Sequence, residues 1–294
     1  MDTKKATLAE MLFACEAVKV APADSPFLYT SGLVGPYYVN THYLCGGAGR
    51  SEEILKKITE LGANPVAIAS EVPVLLSETI DSFPVYKEII ERLAEVARPL
   101  ISQNDISFIT GGQRRDWFFS VPLARALFLP HVYIFNNLSL YDDTGSVFTN
   151  SKSANSLHVA DLLSVGSSYL SKWIPALESV NIKIVAALNC VDRKQGGKDN
   201  LLEAGIPDVQ ALCSINEDLF TDAFEKGILS RDQLSQVLDF IKDPFSTMKK
   251  FIESNPGFIT RTLSSDPKSQ TRIKKTLNDD LYKLGEGFLR HFNF

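Results

Sequence analysis

The sequence has 294 residues, 45% hydrophobic and 22% charged, enough for one large core or two modest ones. Its net charge of −5 speaks against general binding to nucleic acid or anionic membranes, and no apolar run reaches the roughly 18 residues of a membrane span. Four cysteines, at 15, 45, 190 and 213, have neither metal-ligand nor disulfide-framework spacing, so they are expected as reduced thiols of a cytoplasmic protein.

In chain order, the first segment has two lysines and then alternates polar and apolar residues. It predicts an amphipathic helix carrying Leu8, Met11, Leu12, Cys15 and Val18, not a secretion signal. A loop rich in Gly, Pro and Tyr follows, and Ser51 is expected to cap a helix that Gly62 stops. PVAIAS (65–70) is a candidate strand, and YKEIIERLAEVAR a helix ended by Pro99. Further strands are expected at 106–110, 132–135, 157–160, 182–188 and 209–215, with a Pro175-interrupted helix after the third. Strands alternating with helices of about 10 to 15 residues predict crossover units and a largely parallel sheet, with ligands at the carboxyl ends of its strands.

Beyond residue 215 the texture becomes helical, with Asp243-Pro244 and Asp266-Pro267 each opening a helix. Residues 215–294 hold twelve Lys and Arg against twelve Asp and Glu, so this tail is expected as a helical extension and not a nucleic-acid arm. The expected organisation is an α/β domain over 1–215, with 1–50 as a hood-like N-terminal segment, and a helical extension over 216–294.

One stretch raises a chemical question. In SLHVADLLSVGSS (156–168) an apolar run ends at Asp161, and Ser164, Val165, Gly166, Ser167 and Ser168 follow at a helix start. Unpaired N–H groups and the positive end of a helix dipole suit a phosphate there. By itself the pattern is equally an ordinary helix cap.

LHVADLLSVGSS resembles the ribose-phosphate-diphosphate (PRPP) motif of type I phosphoribosyltransferases: hydrophobics, two acids, two hydrophobics, then a Thr/Ser/Gly loop. LYTSGLVGPYYVN (28–40) and VDRKQGGKDNLLEAGI (191–206) resemble two further segments of one branch, the orotate phosphoribosyltransferases, in the expected order. The resemblance covers roughly residues 1–215 and implies a mostly parallel sheet flanked by helices, a homodimer, and Mg²⁺ with PRPP as co-substrate. It further implies that Asp161 holds the ribose hydroxyls and that Ser164 to Ser168 cradle the 5′-phosphate. Arg114 and Arg115 fall in the pyrophosphate-loop region GGQRRDW, and Tyr37 and Tyr38 match the aromatic segment near the base. Trp117, Phe118 and Phe119 are candidates to wall a planar ligand, or else core residues of the helix they open.

The pattern also breaks. Ala160 replaces the motif's first acid, Thr30 a basic residue, and His42 falls where the family often has Arg. The loop before the motif, IFNNLSLYDDTGSVFTN, has no Lys, Arg or His and carries Asp142 and Asp143, expected as a solvated turn with metal binding as the alternative; Lys152 follows it. His131 and His158 are expected to be structural. The implied activity is transfer of phosphoribose from PRPP to a nucleobase-like acceptor with release of pyrophosphate. The alternatives are a catalytically silent PRPP- or nucleotide-binding protein on the same fold, and an unrelated α/β enzyme with a chance Ser/Gly turn.

Overall fold

The computed structural model describes residues 6–292. Six strands form the main sheet among these residues: β1 (Ile106–Gly112), β2 (His131–Ile134), β3 (Leu140–Tyr141), β4 (Ala154–Leu163), β5 (Ile182–Asp192) and β6 (Asp208–Ser214). Their spatial order is β6-β5-β4-β1-β2-β3, parallel throughout except for β3, which returns antiparallel to β2. The strands read as apolar runs because they are buried on both faces; β5 is buried at every position but Lys183. The strand order reverses direction between β1 and β4, which is where an open α/β sheet leaves a crevice for a ligand.

The chain divides into two units: residues 1–17 with 40–215, and residues 18–39 with 216–294. In the first, helices Gly47–Leu61, Pro65–Ser82, Pro84–Asn104 and Trp117–Leu127 accompany the sheet. Pro84–Asn104 buries Tyr86, Ile89, Ile90, Leu93, Ala94, Ala97 and Leu100, an apolar stripe at helical spacing. The second unit is helical, with Glu217–Glu225, Arg231–Lys242, Pro244–Ser254, Pro256–Leu263 and Pro267–Asn278 as its longer elements. Asp243 and Asp266 cap their helices as expected, accepting from Ser246 N and from Lys268 and Ser269 N.

The expected N-terminal segment 1–50 is thus split, and 18–39 joins the helical unit. The reason is size: pairs of two- and three-residue strands (Val18–Val20 with Tyr37–Val39, Phe27–Leu28 with Val34–Gly35) cannot bury a core alone. Val34 instead packs with Met248, Ile252, Ile259, Ile273 and Tyr282. Arg272 donates to Leu28 O at 3.0 Å, and the Tyr282 hydroxyl accepts from Val34 N at 2.7 Å.

Several local expectations are corrected. PVAIAS is not a strand but the start of helix Pro65–Ser82; Asn64 Oδ1 accepts from Ala67 N at 3.1 Å and Pro65 occupies the first turn. Pro99 does not end its helix, which runs to Asn104 because buried Ala97 and Leu100 hold it on either side. Ser51 is no cap: its helix begins at Gly47, and its buried hydroxyl reaches the carbonyls of His42 and Gly47, both at 2.7 Å. The first helix stops at Ala14, and Val18 starts a strand; Met1 to Lys5 lie outside the described residues. No helix of the described residues is long and apolar enough to cross a membrane.

Replacing Tyr282 by Phe should destabilise the second unit by about 1–3 kcal/mol, because Val34 N–H loses its partner in a buried setting. Chemical denaturation followed by far-UV circular dichroism checks this; an unchanged midpoint would mean that Val34 finds another acceptor.

Candidate functional site

β1 and β4 pair from Ile106 and Asn155 as far as Thr110 and His158, then separate, while β4 continues beside β5 to Leu163. Asp161 lies in the part of β4 that has lost its β1 neighbour. The chain leaving β1 passes through Gln113, Arg114 and Arg115 to Asp116, which opens helix Trp117–Leu127; the Gln113–Arg114 peptide is cis. Asp116, buried at 5% exposure, turns its side chain back into the gap: Oδ1 accepts from Asp161 N at 3.0 Å and Oδ2 from Gly112 N at 3.1 Å. The Asp161 side chain itself is half-buried.

Two carboxyls so placed share their charge. Burial, then the negative charge of Asp161, pushes Asp116 well above the usual carboxylate range. Burial raises Asp161 as well, while the Arg115 guanidinium pulls it back. Asp116 was not singled out in the sequence, although it stands beside Arg114 and Arg115 at the end of a strand.

Beyond β4 the chain turns at Gly166, whose φ of +78° suits a residue without a side chain. Ser164 to Ser168, with Leu162, Leu163, Tyr169 and Trp173, line a cavity of about 130 Å³. The carbonyl groups of the loop are used: Ser164 O accepts from Gly197 N, Val165 O from Asn200 Nδ2 and Gly166 O from Leu170 N. No acceptor for the N–H groups of Val165, Gly166, Ser167 and Ser168 is found among the described residues. Four consecutive donors over a small cavity, at the start of a helical run, are what an anion requires.

The other candidates distribute unevenly. Arg115 lies close enough to act on both Asp161 and His42, whereas Arg114 donates Nη1 to Thr59 Oγ1. His42 is not solvent-facing but fully buried, its Nε2 3.4 Å from Glu52 Oε1, and burial followed by the Arg115 charge lowers its pKa. Trp117, Phe118 and Phe119 wall no ligand: all three are fully buried, and Trp117 Nε1 donates to Gly111 O at 2.9 Å. Tyr37 and Tyr38 belong to the second unit, where Tyr37 packs on Phe220 and Phe240 while Tyr38 is 43% exposed beside Phe27 and Tyr29. His131 and His158 are structural: both are buried, pushed down to about 3, and bonded to Ser120 and Thr110.

Loop 136–150 is folded back as a small hairpin. Tyr141 bridges Val147, Asp142 Oδ1 accepts from the Thr144 and Ser146 N–H groups, and Asp143 Oδ2 accepts from His131 N. At the tip, Gly145 (φ +80°) lies against Pro65 and Val66 so closely that a Cβ would stand 2.5 Å from Val66 Cα. Asp142 and Asp143 thus serve the turn and the strand end, and the described residues hold no group of three His, Cys, Asp or Glu side chains suited to a metal.

No protein-family model matches the sequence, and no curated protein matches it. Solved structures do. The UMP synthase of Leishmania donovani aligns with a TM-score of 0.55 and 17% identity over 80% of this chain. The orotate phosphoribosyltransferase of Francisella tularensis aligns with a TM-score of 0.51 and 14% identity over 81% of this chain and 98% of its own. This chain spans only 41% of the UMP synthase. The fold is that of the type I phosphoribosyltransferases: an α/β core with a central sheet flanked by helices, here with a helical C-terminal region.

The upward push on Asp116 has a signature in stability. A carboxyl whose folded pKa is raised contributes fully below its unfolded value, about 3.9, and that contribution is lost as pH rises through the folded value. Wild type should lose stability relative to Asp116→Asn as pH is raised above about 4, measured by urea unfolding at a series of pH values. Parallel curves would mean that Asp116 ionises as freely in the folded protein as in the unfolded chain.

Proposed function

We propose that the chain binds PRPP at the β1/β4 crevice and transfers its phosphoribosyl group to a planar, nucleobase-like acceptor. The observation that carries this reading is the run of four unpaired N–H groups at 165–168, which begins four residues beyond the Asp161 carboxylate near the end of β4. A 5′-phosphate in the cradle would bring ribose hydroxyls towards Asp161, and Arg115, whose charge acts on Asp161, would be a cation available to the diphosphate. Transfer breaks the bond from C1 to the diphosphate, which leaves with the electron pair, while a ring nitrogen of the acceptor forms the new bond to C1.

Mg²⁺ suits this site only as a partner of the ligand. Both oxygens of Asp116 are occupied by backbone N–H groups, so Asp161 is the carboxylate that would face a cation brought in with the diphosphate. There it would offset the charge of the leaving diphosphate.

Binding without turnover is a second reading, favoured by loop 136–150. It carries no basic residue, and its tip is held against Pro65 and Val66, so it offers no cation to a departing diphosphate. Loss of one such stabilising group typically costs about 3–4 kcal/mol in the transition state.

Calorimetric titration of PRPP with Mg²⁺ and with EDTA, followed by assay of pyrophosphate release across a panel of bases, tests both. Transfer predicts Mg²⁺-dependent binding, weakened about tenfold to a hundredfold in Asp161→Asn, with release on adding the right base. Binding with no release across the panel would favour the silent reading. Absence of binding would overturn both.

A further inference from the structure

Helix Trp117–Leu127 begins at the crevice and ends about 16 Å away, at a rise of roughly 1.5 Å per residue, just before β2 starts. Its end is a Schellman turn: Leu129 N–H donates to Ala124 O at 3.0 Å and Phe128 N–H to Arg125 O at 3.3 Å. Phe128 takes the left-handed position of that turn, with φ +55° and ψ +37°. Glycine is the usual occupant, because any side chain there meets steric strain. Phe128 is also 94% exposed, so its ring adds nothing to the core. An aromatic side chain that serves neither the helix end nor the core is placed for contact outside the chain.

Beside it lies a groove of about 270 Å³, where the last turns of helices Pro84–Asn104 and Trp117–Leu127 meet. Arg98, Ile101, Ala126, Leu127 and Phe128 line it. The lining is apolar except for one charge, Arg98, which has no ion-pair partner among the described residues. Arg125, in the last turn of the shorter helix, adds a second positive charge nearby, and no carboxylate lines the groove. An occupant that satisfies this surface brings an apolar side chain for the floor and a carboxylate for Arg98.

We propose that this groove docks an acidic, apolar segment of another protein, anchored by Phe128 and Arg98. Aromatic and arginine side chains are the types that carry most of the energy of such contacts. A second copy of this chain fits less well, because a two-fold contact sets the patch against itself and brings Arg98 up to Arg98. An anionic membrane is disfavoured too, since surface attachment draws on clusters of several cations and the groove has one. The groove and the crevice lie at opposite ends of one helix, so the docked segment does not compete with a ligand at Ser164–Ser168.

The test selects peptides on wild type from a random library displayed on phage, with counter-selection on Phe128→Gly. Selected peptides should pair a Leu, Phe or Trp with a nearby Asp or Glu. By fluorescence anisotropy, the best labelled peptide should bind Phe128→Gly and Arg98→Glu about tenfold or more weakly than wild type. Exchange of its acid for Lys should restore binding to Arg98→Glu, a rescue that loosening of the fold would not produce. Phe128→Gly should unfold at the same urea concentration as wild type or a higher one, since glycine relieves the left-handed strain. A lower midpoint would mean that Phe128 serves the fold, and it overturns the inference. Peptides without an acid, equal binding to Phe128→Gly, or no enrichment at all overturn it as well. Sedimentation supplies the last arm. A wild-type dimer that Phe128→Gly dissolves assigns the groove to a second copy. Pelleting with phosphatidylserine vesicles, lost in the same variant, assigns it to a membrane. Either result overturns the docking of a partner protein.

Discussion

The structure turns on a gap. Where β1 and β4 part, two backbone donors, on Gly112 and Asp161, lose the partners that a continued ladder would have supplied. One carboxyl satisfies both. Because that carboxyl belongs to the residue just before the next helix, the same contact ties the start of Trp117–Leu127 and the end of the Gln113–Arg115 loop to the strand ends. One pair of hydrogen bonds thus ties the backbone of Asp161 to the end of β1. The open end of the sheet exists because the strand order reverses there, so the topology makes the vacancy and a side chain from outside the strand completes it.

Charge follows the same economy. The core beneath β4 is filled by Tyr169, Leu177 and Ile184, and Ala160 contributes only a methyl group to it. The tyrosine hydroxyl is matched to Asn189 Oδ1 at 2.9 Å, and Asn189 in turn donates to Gln210 O, so the polar groups at this depth are paired among themselves. Arg115 is the cation that acts on Asp161, and the hairpin at 136–150 adds none. A site of the proposed kind would recognise a phosphorylated sugar mainly through oriented backbone donors, which act as fixed dipoles and need no reorganisation when an anion arrives.

Much of this was legible in the sequence, for identifiable reasons. Strands buried on both faces are continuous apolar runs, so β1, β2, β4, β5 and β6 stand out between helical stretches. The loop proposed to hold a phosphate is local, the five residues 164–168 in one piece, and its glycine and serines single it out. PVAIAS misled because a six-residue apolar run has no period of its own; the Asn64-Pro65 start signal was the better guide. Asp116 was hidden because its role depends on where two strands diverge, a tertiary fact. Its neighbours Trp117, Phe118 and Phe119 invited a binding role, yet they are the buried face of the helix behind the site. Nor does any local pattern tie Leu28 to Arg272 or Val34 to Tyr282, residues about 245 positions apart.

That last separation has a consequence for synthesis. The helical unit is discontinuous: its strands at 18–39 emerge early, while Tyr282, which closes over Val34, is 248 positions later. At roughly 5–20 residues per second, the early segment waits about 10–50 s for its partner. During that time the α/β unit can complete its sheet, whereas Val34 and Leu28 remain apolar groups without a home. A nascent chain of this design is most exposed to misassociation not at its slowest strand pairing but in this interval, and truncation near residue 215 would make the interval permanent.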